Sequence, residues 1–163
     1  CVENPALRFL IEYKNKEHIL PTNRYLVAAA LCCIIAALAH LGCIVFGGDW
    51  YRFFGAGEQM ALLAEQGNPH PTIVTSVMVT VLLIWALFAL SGAGVIRRLP
   101  LLRTVLCVIS AIFLLRGLAF IAIMPLFPDN SLSFWLVSSA ICLVIGLLYA
   151  TGTVQTWRQL RPA

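Results

Sequence analysis

The chain has 163 residues, of which 61% are hydrophobic and 11% charged, with a formal net charge of +4. A soluble domain has about 45–50% apolar and about 25% charged residues, so the apolar excess has to face lipid, and a chain this short has no room for a separate soluble catalytic domain. The basic residues stand at the ends of apolar segments instead of clustering with aromatics, which argues against nucleic acid as a partner and fits membrane orientation.

Residues 1–24 read as a polar flank with Glu3, Arg8, Glu12, Lys14, Lys16 and Glu17. No signal-peptide pattern is present. The first methionine is Met60, so the start is not an ordinary translation start, and residues 1–20 are set apart from the fold.

Residues 25–158 then read as a single transmembrane domain, followed by a short tail at 159–163. Apolar segments at about 25–46, 73–96, 101–124 and 132–154 each reach the ~20 residues a helix needs to cross the hydrocarbon core. Lipid offers no partner to an open backbone, so these segments are predicted to be helices. The expected fold is an all-α integral membrane protein, a four-transmembrane-helix bundle with an amphipathic helix in the first outer loop.

Orientation follows from the charges. Lys14, Lys16, Arg24, Arg97, Arg98, Arg103, Arg158 and Arg161 flank one side of the spans, while the other side carries Arg52 among Asp49, Glu58, Glu65 and Asp129. The positive-inside rule places both termini in the cytoplasm, and the expected location is the cell membrane, of bacterial inner-membrane type.

The first outer loop is the longest connection. Trp50, Phe53, Phe54, Gly57, Ala61 and Ala64 recur at helical spacing, which predicts an amphipathic helix over 49–66. Asp49 stands at its start and Gly67 where a terminating glycine belongs. Gly55 and Gly57 weaken its middle, by ~1 kcal/mol each relative to alanine, so a break there or a close helix contact is expected. Pro69 and Pro71 prevent its continuation. Pro100 is read as opening the third span, and Pro125, Pro128, Asp129 and Asn130 as a short outer turn.

Small residues at Ser91-Gly92-Ala93-Gly94 and from Gly146 to Ala150 predict close helix packing. The six cysteines form no C-x-x-C pair and have no histidine at ligand spacing, so they read as small buried hydrophobes, with no metal and no cofactor expected.

Arg116 is the sharpest feature. It lies eight residues before Met124, about 12 Å of helix rise from the outer end, and Ile109, Ile112, Phe113, Ala119, Phe120 and Ile123 around it are apolar. A charge at such a place costs at least ~2.5 kcal/mol unless it finds a partner or water. Glu58, reached through the flexible Gly55–Gly57 turn, is the first candidate partner, and His40 in the first span stands at similar depth. Arg116, Glu58 and His40 are thus expected to line an outward polar pocket, with Asp49 and Arg52 as secondary candidates. A structural role for Arg116, snorkelling or clamping the loop, is the competing expectation.

Paired histidines, an acidic residue in the first span, an arginine ladder, an intramembrane protease constellation and C-x-x-C are all missing from the sequence. Haem binding, small multidrug export, voltage sensing, proteolysis and thiol redox chemistry are therefore set aside. In size and topology over residues 25–158 the chain is similar to small bacterial four-helix membrane proteins such as the DoxX-like group, and no motif carries a function across from them. The leading expectation is a non-enzymatic bundle that binds a small ligand or supports a membrane complex, with membrane lipids, a membrane-protein partner or a second copy as partners. A small transporter or channel subunit with a pocket around Arg116, Glu58 and His40 is the first alternative. A membrane enzyme acting on lipid or quinone is the second.

Overall fold

The structure, a computed structural model, describes residues 22–126, 130 and 132–158. The flank over 1–21, the outer-turn residues Pro128 and Asp129, and the tail over 159–163 lie outside the described residues. The elements are all helical: α1 (Arg24–Phe46), α2 (Gly48–Phe53), α3 (Glu58–Glu65), α4 (Pro69–Gly92), α5 (Leu102–Leu118), α6 (Phe120–Ile123), a 3-10 turn (Met124–Leu126) and α7 (Leu132–Thr156). Among the described residues there is no strand.

Three helices, α1, α4 and α7, are long and apolar enough to cross a membrane. Their outward faces are apolar and open, with Ile35 66%, Val45 70% and Val137 60% exposed. In water such faces would drive aggregation; in lipid they are ordinary.

The expected third span does not form as one helix. Residues 101–124 divide into α5, a break at Ala119 (φ −80°, ψ 7°), the single turn α6 and the 3-10 turn. Pro125 has no N–H to donate to Ile121, and its ring crowds that carbonyl, so a regular helix cannot run through this stretch. The 17 residues of α5 lie at the short end of the range for spanning helices, about 17–25. Pro100 also differs from expectation. It stands in a turn, and α5 opens after Leu101, which adopts a left-handed φ of 53°.

The remaining boundaries have local causes. Asn23 caps α1, its Oδ1 accepting from the N–H groups of Tyr25 and Leu26 at 3.0 Å each. The proline pair starts the next helix instead of merely ending the loop: Asn68 caps α4 through the His70 N–H at 2.9 Å, with Pro69 in the first turn where no N–H is needed. At the far end α4 stops at Gly92, because Gly94 turns left-handed at φ 77°. Ser91 closes that turn, donating Oγ–H to the Arg97 carbonyl at 3.0 Å and accepting from the Leu99 N–H at 2.9 Å.

The bundle is built on two tight pairs, α1 with α4 and α5 with α7, joined mainly through α1 and α7. Ala29, Ala30, Cys33 and Ala37 on α1 and Ala86 and Ala89 on α4 are fully or almost fully buried. Small side chains let these backbones approach where no hydrophobic force draws helices together. At the centre lies Tyr149, fully buried, its ring stacked on Phe113 at 6.0 Å, and Phe113 meets Trp85 edge-on at 5.1 Å. The Tyr149 hydroxyl donates to the Trp85 carbonyl at 2.9 Å and lies 3.4 Å from Cys33 Sγ. One end of the bundle is basic, with Arg24, Arg97, Arg98, Arg103 and Arg158. There Asn23 Nδ2 donates to Gln155 Oε1 at 3.0 Å, and Arg103 lies over the Trp157 ring at 3.7 Å. The other end carries α2 and α3 and is called the loop end below.

Candidate functional site

The loop end is capped by two short helices where the sequence predicts one. The chain breaks over residues 54–57, with Gly55 at φ 68° and Gly57 at φ 91°, conformations that cost side-chain-bearing residues 1–2 kcal/mol or so. Gly55 lies so close to the Phe134 ring of α7 that a Cβ would collide with it, and its carbonyl accepts from Asn130 Nδ2 at 3.0 Å. The predicted end at Gly67 does form. Gly67 takes φ 72°, and its N–H and that of Asn68 return to the carbonyls of Ala64 and Leu63 at 3.1 and 2.9 Å, closing the last turn of α3.

The cap is fastened to the bundle by aromatic and polar contacts. The Trp50 ring covers Gly42 of α1 and stacks on Phe46 at 4.5 Å. Tyr51 is buried and shares a hydrogen bond of 3.1 Å with Thr75 of α4. Between cap and α4 lies an open cleft of about 260 Å³, lined in part by Ile44, Tyr51, Asn68, Pro69 and Ile73.

Arg52 organises the charges of the cap. Its Nε and Nη2 donate to the two Glu58 carboxylate oxygens at 2.8 and 2.7 Å, and Nη1 reaches Glu65 at 2.5 Å and Asp49 at 3.3 Å. The forked Arg52–Glu58 pair is the geometry that makes guanidinium–carboxylate contacts specific. It holds the Glu58 carboxyl below the usual carboxylate range, and the same hydrogen bonds push Arg52 further up. The cluster is exposed, Asp49 at 93%, so salt screens it. Its role is to clip α2 to α3 across the glycine break.

Arg116 lies apart from that cluster. It sits in the last turn of α5, where a cation complements the helix end, and α5 is held against α7 by reciprocal glycines. A Cβ on Gly117 would meet Leu143, and one on Gly146 would meet Leu114, in each case down to the backbone nitrogen at 3.1 and 3.0 Å. This approach brings the Arg116 guanidinium over the Trp135 ring at 5.1 Å. Arg116 Nη1 is buried and has no hydrogen-bond partner among the described residues. Neither has the Ser139 hydroxyl, on a residue 3% exposed one turn along α7 from Trp135.

His40 is half-buried on the side of α1 that carries Cys33 and Ala37. Its Nδ1 lies 2.8 Å from the Ala36 carbonyl. A carbonyl only accepts, so Nδ1 is the donor. The structure therefore brings Glu58, Arg52 and Asp49 together but not Glu58 with Arg116 or His40: no hydrogen bond or ion pair among the described residues joins those three. Trp135 is the neighbour of Arg116 that sequence reading missed, and Ser139 stands one turn along α7 from it. Their only signal was position, since Trp135, Ser139, Cys142 and Gly146 stand at i, i+4, i+7 and i+11 on one face of the last helix.

Among the described residues, no group of His, Cys, Asp and Glu side chains is arranged to hold a metal ion. Cys32, Cys33, Cys43, Cys107 and Cys142 are free thiols. No protein-family model matches the chain, and neither a curated protein nor a solved structure matches it.

Proposed function

We propose that this chain is a four-span membrane protein whose function is to bind a small ligand in the loop-end half of its bundle, beside Arg116. The observation that carries the reading is the Arg116 guanidinium, in the last turn of α5 with one nitrogen buried and unpartnered among the described residues. An arginine in a membrane helix costs ~2.5 kcal/mol even on the lenient insertion scale, and such residues mark ligand or ion pathways. His40, its Nδ1 bonded to the Ala36 carbonyl, offers a second polar group in the same half of the bundle.

In this reading α5 is the fourth crossing. It packs along the full-length α7 and carries Arg103 at the basic end and Arg116 near the loop end, where long side chains reach the interfaces. The concentration of Arg24, Arg97, Arg98, Arg103 and Arg158 at one end, against Asp49, Glu58 and Glu65 at the other, supports cytoplasmic termini and an outward cap. It also supports a cell membrane of the bacterial inner-membrane type.

The test is native mass spectrometry of the protein released from its own membrane in mild detergent. The expected result is an adduct of defined mass retained by the wild type and lost in Arg116→Leu. Absence of any retained species from the wild type, or its full retention in the variant, would overturn the reading.

A further inference from the structure

Resting on that reading, we infer the chemical class of the ligand: an amphiphile with an anionic carboxylate or phosphate head, held by Arg116 and Ser139. Three observations converge. First, the Arg116 guanidinium carbon lies over the Trp135 ring, 5.1 Å from its centroid. The guanidinium is a planar fork of N–H donors that matches the oxygens of a carboxylate or phosphate, and its Nη1 has no hydrogen-bond partner among the described residues.

Second, the Ser139 hydroxyl is buried without a partner among the described residues. A serine in a helix commonly back-bonds to its own backbone, as buried Ser110 does to Leu106 at 2.9 Å and half-buried Ser138 does to Trp135 at 3.2 Å. Ser139 does not. It lies between Trp135 and Cys142 on one face of α7, and Arg116 flanks that stretch: its guanidinium is over Trp135, and the adjacent Gly117 packs against Leu143. One oxygen-bearing group placed there would accept from both Arg116 and Ser139.

Third, the surroundings select an amphiphile over a free hydrophilic anion. On α5, Ile112 (43% exposed), Leu115 (64%) and Leu118 (66%) open to the apolar exterior around Arg116. A head group carried on a hydrocarbon chain arrives along this surface and leaves its tail in lipid. The three described acids, Asp49, Glu58 and Glu65, are all taken by Arg52, so none of them competes for Arg116.

The experiment uses the whole chain in phosphatidylcholine nanodiscs and follows tryptophan quenching by brominated chains. Dibrominated stearate supplies a carboxylate head, dibrominated phosphatidylglycerol a phosphate head, and dibrominated stearyl alcohol a neutral match. Saturable quenching by at least one of the acids, absent with the alcohol, is expected, and Trp135→Phe should remove most of it. Which acid saturates decides between a free fatty acid and an anionic lipid as the source. Arg116→Gln should weaken binding about tenfold or more, as loss of a charge-assisted hydrogen bond implies. Ser139→Ala, which leaves the helix surface and packing in place, should weaken it severalfold and serves should Arg116→Gln not fold.

Equal quenching by acid and alcohol, or unchanged affinity in Ser139→Ala together with a folded Arg116→Gln, would sink the inference. A retained adduct identified as a neutral molecule would overturn the anionic head and leave the ligand-binding reading standing. No retained species of any kind would end both.

Discussion

Gly117 on α5 and Gly146 on α7 are complementary halves of one contact. Each receives the leucine that lies three residues before the other: Leu143 packs on Gly117, and Leu114 packs on Gly146. The pairing decides where Arg116 stands, because residue 116 is the neighbour of the glycine that lets α5 close on α7. Enlarging either glycine must separate the two helices at this contact.

Gly146→Leu is therefore expected to destabilise the bundle by about 1–3 kcal/mol, the usual range for overpacking a tight contact. Denaturation in mixed micelles would measure it. A Gly146→Leu protein as stable as the wild type would mean that the two helices do not depend on this approach.

Tyr149→Phe removes the one hydroxyl that ties α7 to the Trp85 carbonyl of α4 and to Cys33 of α1. Hydrogen bonds between membrane helices are worth about 0.6 kcal/mol on average and up to about 1.7. A loss within that range is expected in the same denaturation assay, with the fold retained, since the ring and its stacking on Phe113 remain.

Asn23→Ala should cost about 1 kcal/mol through loss of the α1 cap, and it also frees Gln155 on α7. Amide hydrogen exchange is expected to quicken in the first turn of α1, at Tyr25 and Leu26, before it quickens elsewhere.

The Arg52–Glu58 pair predicts a pH dependence of the cap. Arg52 lowers the Glu58 pKa in the folded state. A lowered carboxylate contributes stability that is present above its unfolded value, about pH 4.3, and is lost as pH falls through the lower folded value. Limited proteolysis of the 54–57 break should therefore accelerate as pH drops below about 4, and also at high salt, where the exposed cluster is screened. In a double-mutant cycle Arg52→Gln and Glu58→Gln should couple, whereas Glu58→Gln and Arg116→Leu should add.

The division between what was legible and what was not runs along a physical line. By itself the sequence determined that this is a helical membrane chain, where α1, α4 and α7 lie to within a few residues, and which ends carry the basic charges. These depend on composition, run length and local capping, all properties of consecutive residues. The glycine break in the cap was legible as a weakness, because a left-handed φ is a local preference. Tertiary structure alone decided that Asp49, Arg52, Glu58 and Glu65 meet in one cluster, since their contacts cross the break between two helices. It alone placed the Arg116 guanidinium over the Trp135 ring. That depends on which face of α5 meets which face of α7, and in a chain whose helices are apolar nearly all round, no amphipathic stripe marks the facing side. The small residues Gly117 and Gly146 select it by permitting close approach, and the register that follows sets the surroundings of Arg116.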